Sequence, residues 1–136
     1  MTREIKFRGK RIDNKEWEIG ALLQTDDGET YIATSFLADS EPNMPLTVEA
    51  DEVDPDTVGQ YTGLTDKNGN EIFEGDIVLK RTYNGKKPFP VTFDSGMFHC
   101  GYGGGSSTAT HGYTLDDSQI EIIGNIHDNP ELMGGN

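Results

Sequence analysis

The sequence predicts an all-β chain. Apolar residues alternate with polar ones over short runs, turn pairs of Asn, Asp and Gly recur between those runs, and no apolar stripe of helical period exceeds two turns. Glycine accounts for 17 of 136 residues and hydrophobic residues for 33%, a balance that suits a small β protein with many turns rather than a helical bundle. Several short strands at this spacing imply a barrel or roll over about residues 57–127. It is preceded by an N-terminal β-hairpin portion within residues 1–56 and followed by a short tail inside 57–136. A chain of this length buries about two-thirds of its unfolded surface, enough for the two portions to form one compact unit.

Ile5 and Phe7 alternate with Glu4, Lys6 and Arg8, the period of a half-buried strand. A turn at Asp13-Asn14-Lys15 leads to Trp17, Ile19 and Ala21, which alternate with Glu16, Glu18 and Gly20 and supply an antiparallel partner. On that pairing Lys6 and Arg8 are expected outside, opposite Glu16 and Glu18. Asp26-Asp27-Gly28 is a turn and Thr30–Thr34 a third strand. Residues 38–57, with Pro42, Pro45, Pro55 and a run of acids, read as an irregular connection holding a short helical turn at Val53–Thr57. Asn68-Gly69 is expected to supply both positive-φ positions of a primed hairpin turn. Glu74-Gly75-Asp76 is a second break before the β-branched strand Asp76–Tyr83. Asn84–Pro88 reads as a loop, Phe89–Phe93 and Met97–Tyr102 as strands around a turn at 94–96, residues 103–112 as a Gly/Ser/Thr-rich loop, and Ser118–Ile126 as the last strand.

Net charge is −13, unevenly spread. Residues 1–15 hold six bases against two acids, so the other 121 residues carry −17. A field of that sign repels phosphate backbones, so nucleic acid is a disfavoured partner unless it is met locally. Two local clusters qualify: Arg8, Lys10 and Arg11 near the N-terminus, and Lys80, Arg81, Lys86 and Lys87 in the 80–90 hairpin. These seven residues are the candidate contact surface. No apolar run is long enough to span a bilayer, Met1–Arg8 lacks a signal-peptide core, and Cys100 is the lone cysteine. A cytoplasmic, reduced setting is therefore expected, with no membrane partner.

The chemistry-bearing residues form no convincing catalytic or metal pattern. An EF-hand loop from Asp66 needs Gly at 71 and Glu at 77, where Glu71 and Ile77 stand. His99 and Cys100 are adjacent on a strand and point to opposite faces, so a zinc site with His111 or His127 is not expected; Cys100 reads as a small core residue. Gly101–Ser107 lacks the Lys-Ser/Thr and helix of a phosphate-binding loop. Ser106 or Ser107 with His111 and Asp116 supplies the letters of a hydrolase triad without the strained elbow. No enzyme activity and no cofactor are expected. The aromatics Tyr61, Phe73, Tyr83, Phe89, Phe93, Phe98 and Tyr102 are expected mostly in the core.

Three segments carry a family resemblance: Gln60–Leu64 with Asp66–Gly69 and Ile72–Val78 in the middle, Arg3–Lys10 with Trp17 at the start, and Ile123–Ile126 with Asn129–Leu132 at the end. Together they resemble the YopX family, small proteins encoded by phages and prophages. Residues 24–56 and 84–116 match little and form the variable parts. The resemblance implies that the roll is SH3-like and that the chain is a phage or prophage accessory protein. It carries over no catalytic residue. The function expected is a non-enzymatic binding module that engages a host or phage protein. The alternatives are a nucleic-acid binder using the two basic clusters, or an acidic DNA mimic. Homo-oligomerisation through open strand edges is compatible with the sequence and opposed by its charge.

Overall fold

The computed structural model describes residues 4–37, 47–82, 85–94, 96–100, 113–114 and 120–134. The chain is all-β apart from a single short helix and one 3₁₀ turn among these residues, and it divides into two units, Met1–Gln60 and Tyr61–Asn136.

In the first unit β1 (Phe7–Lys10), β2 (Trp17–Gln24), β3 (Thr30–Leu37) and β4 (Thr47–Glu52) form an antiparallel meander in the order β4-β3-β2-β1. The β1–β2 turn is closed by the Arg11 N–H donating to the Glu16 carbonyl at 2.8 Å, with Lys15 at φ 65°. The first strand starts later than the Ile5/Phe7 alternation suggested; Ile5 is 63% exposed. β4 corrects the irregular reading of residues 38–57 over its own span, while residues 38–46 fall outside the described ones. Its acids Glu49, Asp51 and Glu52 are compatible with a strand because β4 stands last in the order, and edge strands carry charge readily. The expected helical turn is present as a 3₁₀ turn at Pro55–Thr57, capped by the Asp54 carboxylate, which accepts from the Asp56 N–H at 3.0 Å. Thr57 fastens it, accepting from the Lys10 N–H at 2.9 Å and donating to the Asp54 carbonyl at 2.6 Å. Ile32 and Val53 are fully buried in this unit.

β5 (Gly59–Thr65) begins in the first unit, where Gly59 and Gln60 pair with Arg8 and Phe7, and ends in the second, where Tyr61 pairs with Phe73 of β6 (Glu71–Phe73). The second unit continues with β7 (Asp76–Thr82), β8 (Gly85–Asp94), β9 (Met97–Cys100), β10 (Tyr113–Thr114) and β11 (Ile120–Asn125). These form an antiparallel sheet in the order β10-β9-β8-β7-β11. Ile72, Val78, Val91, Cys100 and Ile120 form its core, with Phe89 and Ile122 against them. Gly85–Pro88, expected as a loop, is strand. Pro88 and Pro90 stand opposite Leu79 and Ile77 of β7, outside the described β8–β9 rungs, which run from Val91 to Asp94.

The turn at Asn68-Gly69 differs from the primed form: only Gly69 has positive φ, 86°. The cause is Asp66, buried at 3% exposure. Its Oδ1 accepts the N–H groups of Asn68 and Asn70, both at 2.9 Å, which keeps Asn68 out of the left-handed region and leaves Gly69 alone to turn the chain. Its Oδ2 accepts the Ile122 N–H of β11 at 3.0 Å, and the neighbouring Lys67 N–H donates to the Ile120 carbonyl at 3.0 Å. Asp76 works similarly at the next break, accepting the Phe73 N–H at 2.7 Å beside Gly75 at φ 97°.

At the end of the chain Asn125 Oδ1 accepts from the His127 and Asp128 N–H groups, each at 2.9 Å, and Asn129 Oδ1 accepts from the Asn125 N–H at 3.2 Å. Gly124 follows a bulge in β11 at Ile123 and lies so close to Asn129 and Leu132 that a Cβ there would meet them at 2.6 and 3.0 Å. Leu132 thus docks against β11 from the one-turn helix α1 (Glu131–Gly134).

Candidate functional site

Four of the seven candidate contact residues converge on one end of the β7–β8 hairpin. Lys80 faces Lys87 across the strands and Arg81 faces Lys86 on the next rung. Arg81, Lys86 and Lys87 are exposed and Lys80 is half-buried. The described pairing of β7 with β11 reaches Lys80↔Ile120 and that of β8 with β9 reaches Val91↔Cys100; residues 115–119 and 101–112, next along these strands, lie outside the described residues. Like charges directly opposite on a ladder destabilise it. The variant Lys86→Glu, which sets a carboxylate opposite Arg81, is therefore expected to raise stability by about 0.2–1 kcal/mol. Denaturant midpoints would check this; a lower midpoint for the variant would show that the rung carries no repulsion.

The remaining three candidates behave differently. Arg8 pairs across from Ile19, not opposite Glu16 or Glu18 as the alternation suggested, and Lys10 pairs across from Trp17. The Arg8 guanidinium carbon lies 4.7 Å from the centre of the Trp17 ring and the Lys10 ammonium 5.7 Å from it, both within cation–π range. Arg11 is held by Asp13, with two hydrogen bonds at 2.9 and 2.7 Å, and lies 3.6 Å from Asp51. The hydrogen bond with Asp13 raises the Arg11 pKa and lowers that of Asp13. Arg11 is thus engaged by its own unit.

Residue alternation places Arg8, Lys10, Trp17, Ile19 and Leu23 on one face of β1 and β2, with Tyr31 joining through its rung with Leu23. Ile19 is 47% and Leu23 41% exposed. The face that looked like the buried one is therefore the more open one, whereas the opposite face carries Gly9 against Val53 and Gly20 against β3. Glycines at both positions bring neighbouring groups close. This packing requirement leaves no hydrophobic signal and hides the face from pattern reading. On the same inner face Glu18 shares a hydrogen bond with Asp51, which together with burial raises its pKa.

The other singled-out residues have structural places where they are described. Asp66 spends its carboxylate on three backbone amides. Burial pushes its pKa up, but those amides and the Asn70 side chain outweigh burial and hold it below the usual carboxylate value. Cys100 is fully buried in the core, which raises its thiol pKa against the opposing charge of Lys80. Phe73 and Tyr61 are core residues with ring centres 5.5 Å apart, while Phe93 is 53% exposed and meets Phe98 edge-on at 4.9 Å, a departure from the expected core role. Tyr83, Asn84, Gly101–Gly112 and Asp116 lie outside the described residues, and with them the glycine-rich loop and the Ser106/Ser107, His111, Asp116 set. No helix among the described residues is long and apolar enough to cross a membrane.

The family model described as YopX protein matches residues 6–134. Among solved structures, the crystal structure of protein EF1440 from Enterococcus faecalis is similar at 28% sequence identity and a TM-score of 0.63, over 97% of this chain and 99% of that one. No curated protein matches the chain.

Proposed function

The chain belongs to the YopX family, and we propose that it is a phage or prophage accessory protein that works without catalysis, as a binding module for a host or phage protein in the bacterial cytoplasm. The observation that carries this reading is the open face of β1 and β2, where Ile19 and Leu23 are exposed beside Trp17, Tyr31, Arg8 and Lys10. Trp, Tyr and Arg dominate binding hot spots. Aliphatic groups next to cations suit a partner segment that alternates apolar and acidic residues. A non-catalytic role also fits the work done by the polar residues of the family's matching segments: Asp66, Asp76, Asn125 and Asn129 use side-chain oxygens to accept backbone amides.

Affinity capture with the tagged full chain from infected host cells tests the reading, run beside the double variant Ile19→Glu/Leu23→Glu and the control Lys86→Ala. A specific protein recovered by the wild type and the control, and lost from the double variant, is the expected result. Recovery that ignores the Ile19 and Leu23 changes would remove this surface from the account. No specific protein across several hosts would sink the binding role itself.

A further inference from the structure

We propose that Asn68 is a self-modifying site, deamidated through its neighbour Gly69, which the intact Asp66 turn keeps shut and which reacts when that turn opens. The chemistry needs only water. The Gly69 backbone nitrogen gives its proton to solvent and attacks the Asn68 side-chain carbonyl carbon. The N–Cγ bond forms, the Cγ–Nδ2 bond breaks, and ammonia leaves with a proton taken from solvent. Water then opens the cyclic imide at one carbonyl or the other, giving aspartate or isoaspartate at position 68. Asparagine is a thermolabile residue, and a following glycine, having no Cβ, leaves the attacking nitrogen unhindered. Asn68 and Gly69 are both exposed, with nothing within 4 Å of the place a Gly69 Cβ would take, so water reaches the peptide.

The turn withholds what the reaction requires. The Gly69 N–H donates to the Asp66 carbonyl at 3.0 Å, so the proton that must leave is engaged. The Asn68 and Asn70 N–H groups are fixed on Asp66 Oδ1, both at 2.9 Å, and the Asp66 N–H donates to the Asn70 carbonyl at 2.8 Å. The peptide between Asn68 and Gly69 cannot rotate onto the side chain while these bonds last. Asp66 is itself tied to β11, its Oδ2 accepting the Ile122 N–H at 3.0 Å. Reaction therefore passes through a locally opened turn, and its rate follows the population of that open form. The product makes the opening permanent. Isoaspartate adds a backbone atom between residues 68 and 69, so Asp66 Oδ1 no longer matches the spacing of the two amides it holds. Aspartate sets a second carboxylate beside that of Asp66. A chain that has opened here is thus marked, and its hold on Ile122 is weakened. This site is separate from the β1–β2 face and rests on nothing assigned to it.

The test is peptide mapping by mass spectrometry of the full chain aged at mildly alkaline pH, with isoaspartate counted by enzymatic methylation, in buffer and in guanidinium chloride. Asn84-Gly85 is a second Asn-Gly pair in the sequence and serves as the reference for the unfolded chain. In denaturant Asn68 and Asn84 are expected to react at comparable rates. In buffer Asn68 is expected to react at least about 10-fold more slowly than in denaturant, since only the minority of opened turns reacts. Asp66→Asn, which keeps one acceptor oxygen, is expected to raise the rate at Asn68 in buffer and to leave the rate in denaturant unchanged. Chains modified at position 68 and then refolded are expected to show faster hydrogen exchange at the Ile122 amide than unmodified chains treated alike. No reaction at Asn68 in denaturant overturns the site. Equal rates in buffer and denaturant for the wild type overturn the gate, a comparison that needs no variant to fold. An unchanged rate in buffer for Asp66→Asn removes Asp66 from that gate. A modified chain whose Ile122 amide is as protected as before overturns the permanent opening.

Discussion

Gly20→Ala is expected to destabilise the first unit by about 3 kcal/mol or more, at the upper end of what overpacking costs. A Cβ at this position would lie 2.0 Å from the Ala33 carbonyl oxygen and 3.0 Å from its carbonyl carbon. The obstructing atoms are backbone, so no rotamer change relieves them. The strands themselves must separate around Ala21↔Ala33, at the expense of the ladder that joins β2 to β3. Gly28 is the natural comparison. Its φ is +91° with nothing within 4 Å of an added Cβ, so Gly28→Ala carries only the left-handed backbone penalty of about 1–2 kcal/mol. Urea unfolding of the two variants should rank them clearly. A Gly20→Ala chain with the wild-type midpoint would show that β2 and β3 separate at little cost.

The second large effect is expected at Asp66. Removing its carboxylate in Asp66→Ala strands the N–H groups of Asn68, Asn70 and Ile122, which it accepts at 2.9, 2.9 and 3.0 Å. Hydrogen bonds to a charged group contribute about 1.5–3 kcal/mol each and do not simply add, so a loss of about 3–5 kcal/mol for the second unit is expected. Asp66→Asn, which keeps one acceptor oxygen, should fall between. The pH dependence has a definite sign. The pKa of Asp66 is lower in the folded chain, so its contribution is complete above the ordinary carboxylate value and is lost as pH falls below about 4 through the folded value. The wild type should therefore weaken between neutral pH and pH 3 by more than Asp66→Ala does. Equal weakening in both would place the acid sensitivity elsewhere.

How much of this was legible depended on whether a residue's task was local. The turns at Asp26–Gly28 and Glu74–Asp76 and the strands β7 and β11 were readable because glycine, acid and β-branched residues act within a few positions of themselves. β4 was missed because an edge strand tolerates the acids that mark a connection. Lys86 and Lys87 were read as loop because prolines follow them, and their rungs with Arg81 and Lys80 of β7 have no local sign. At the candidate sites, the clustering of Lys80, Arg81, Lys86 and Lys87 was visible, but their division between two faces depends on the register Lys80↔Lys87. The engagement of Arg11 by Asp51 and the exposure of Ile19 depend on contacts across β2, β3 and β4. Asp66 is the sharpest case. Its part in the turn was readable, whereas its hold on Ile122 spans 56 residues and had no local sign.

That long reach has a consequence for the order of events in synthesis. Forming a contact across such a separation costs loop-closure entropy that local turns avoid, and it slows the step that needs it. The Asp66 turn can form soon after its residues are made, but its second carboxylate oxygen has no amide to receive until Ile122 has emerged. Completion of the second unit is thus timed by the translation of β11, and a ribosome paused before Ile120 holds a chain whose first unit is fully encoded while the second still lacks its closing strand.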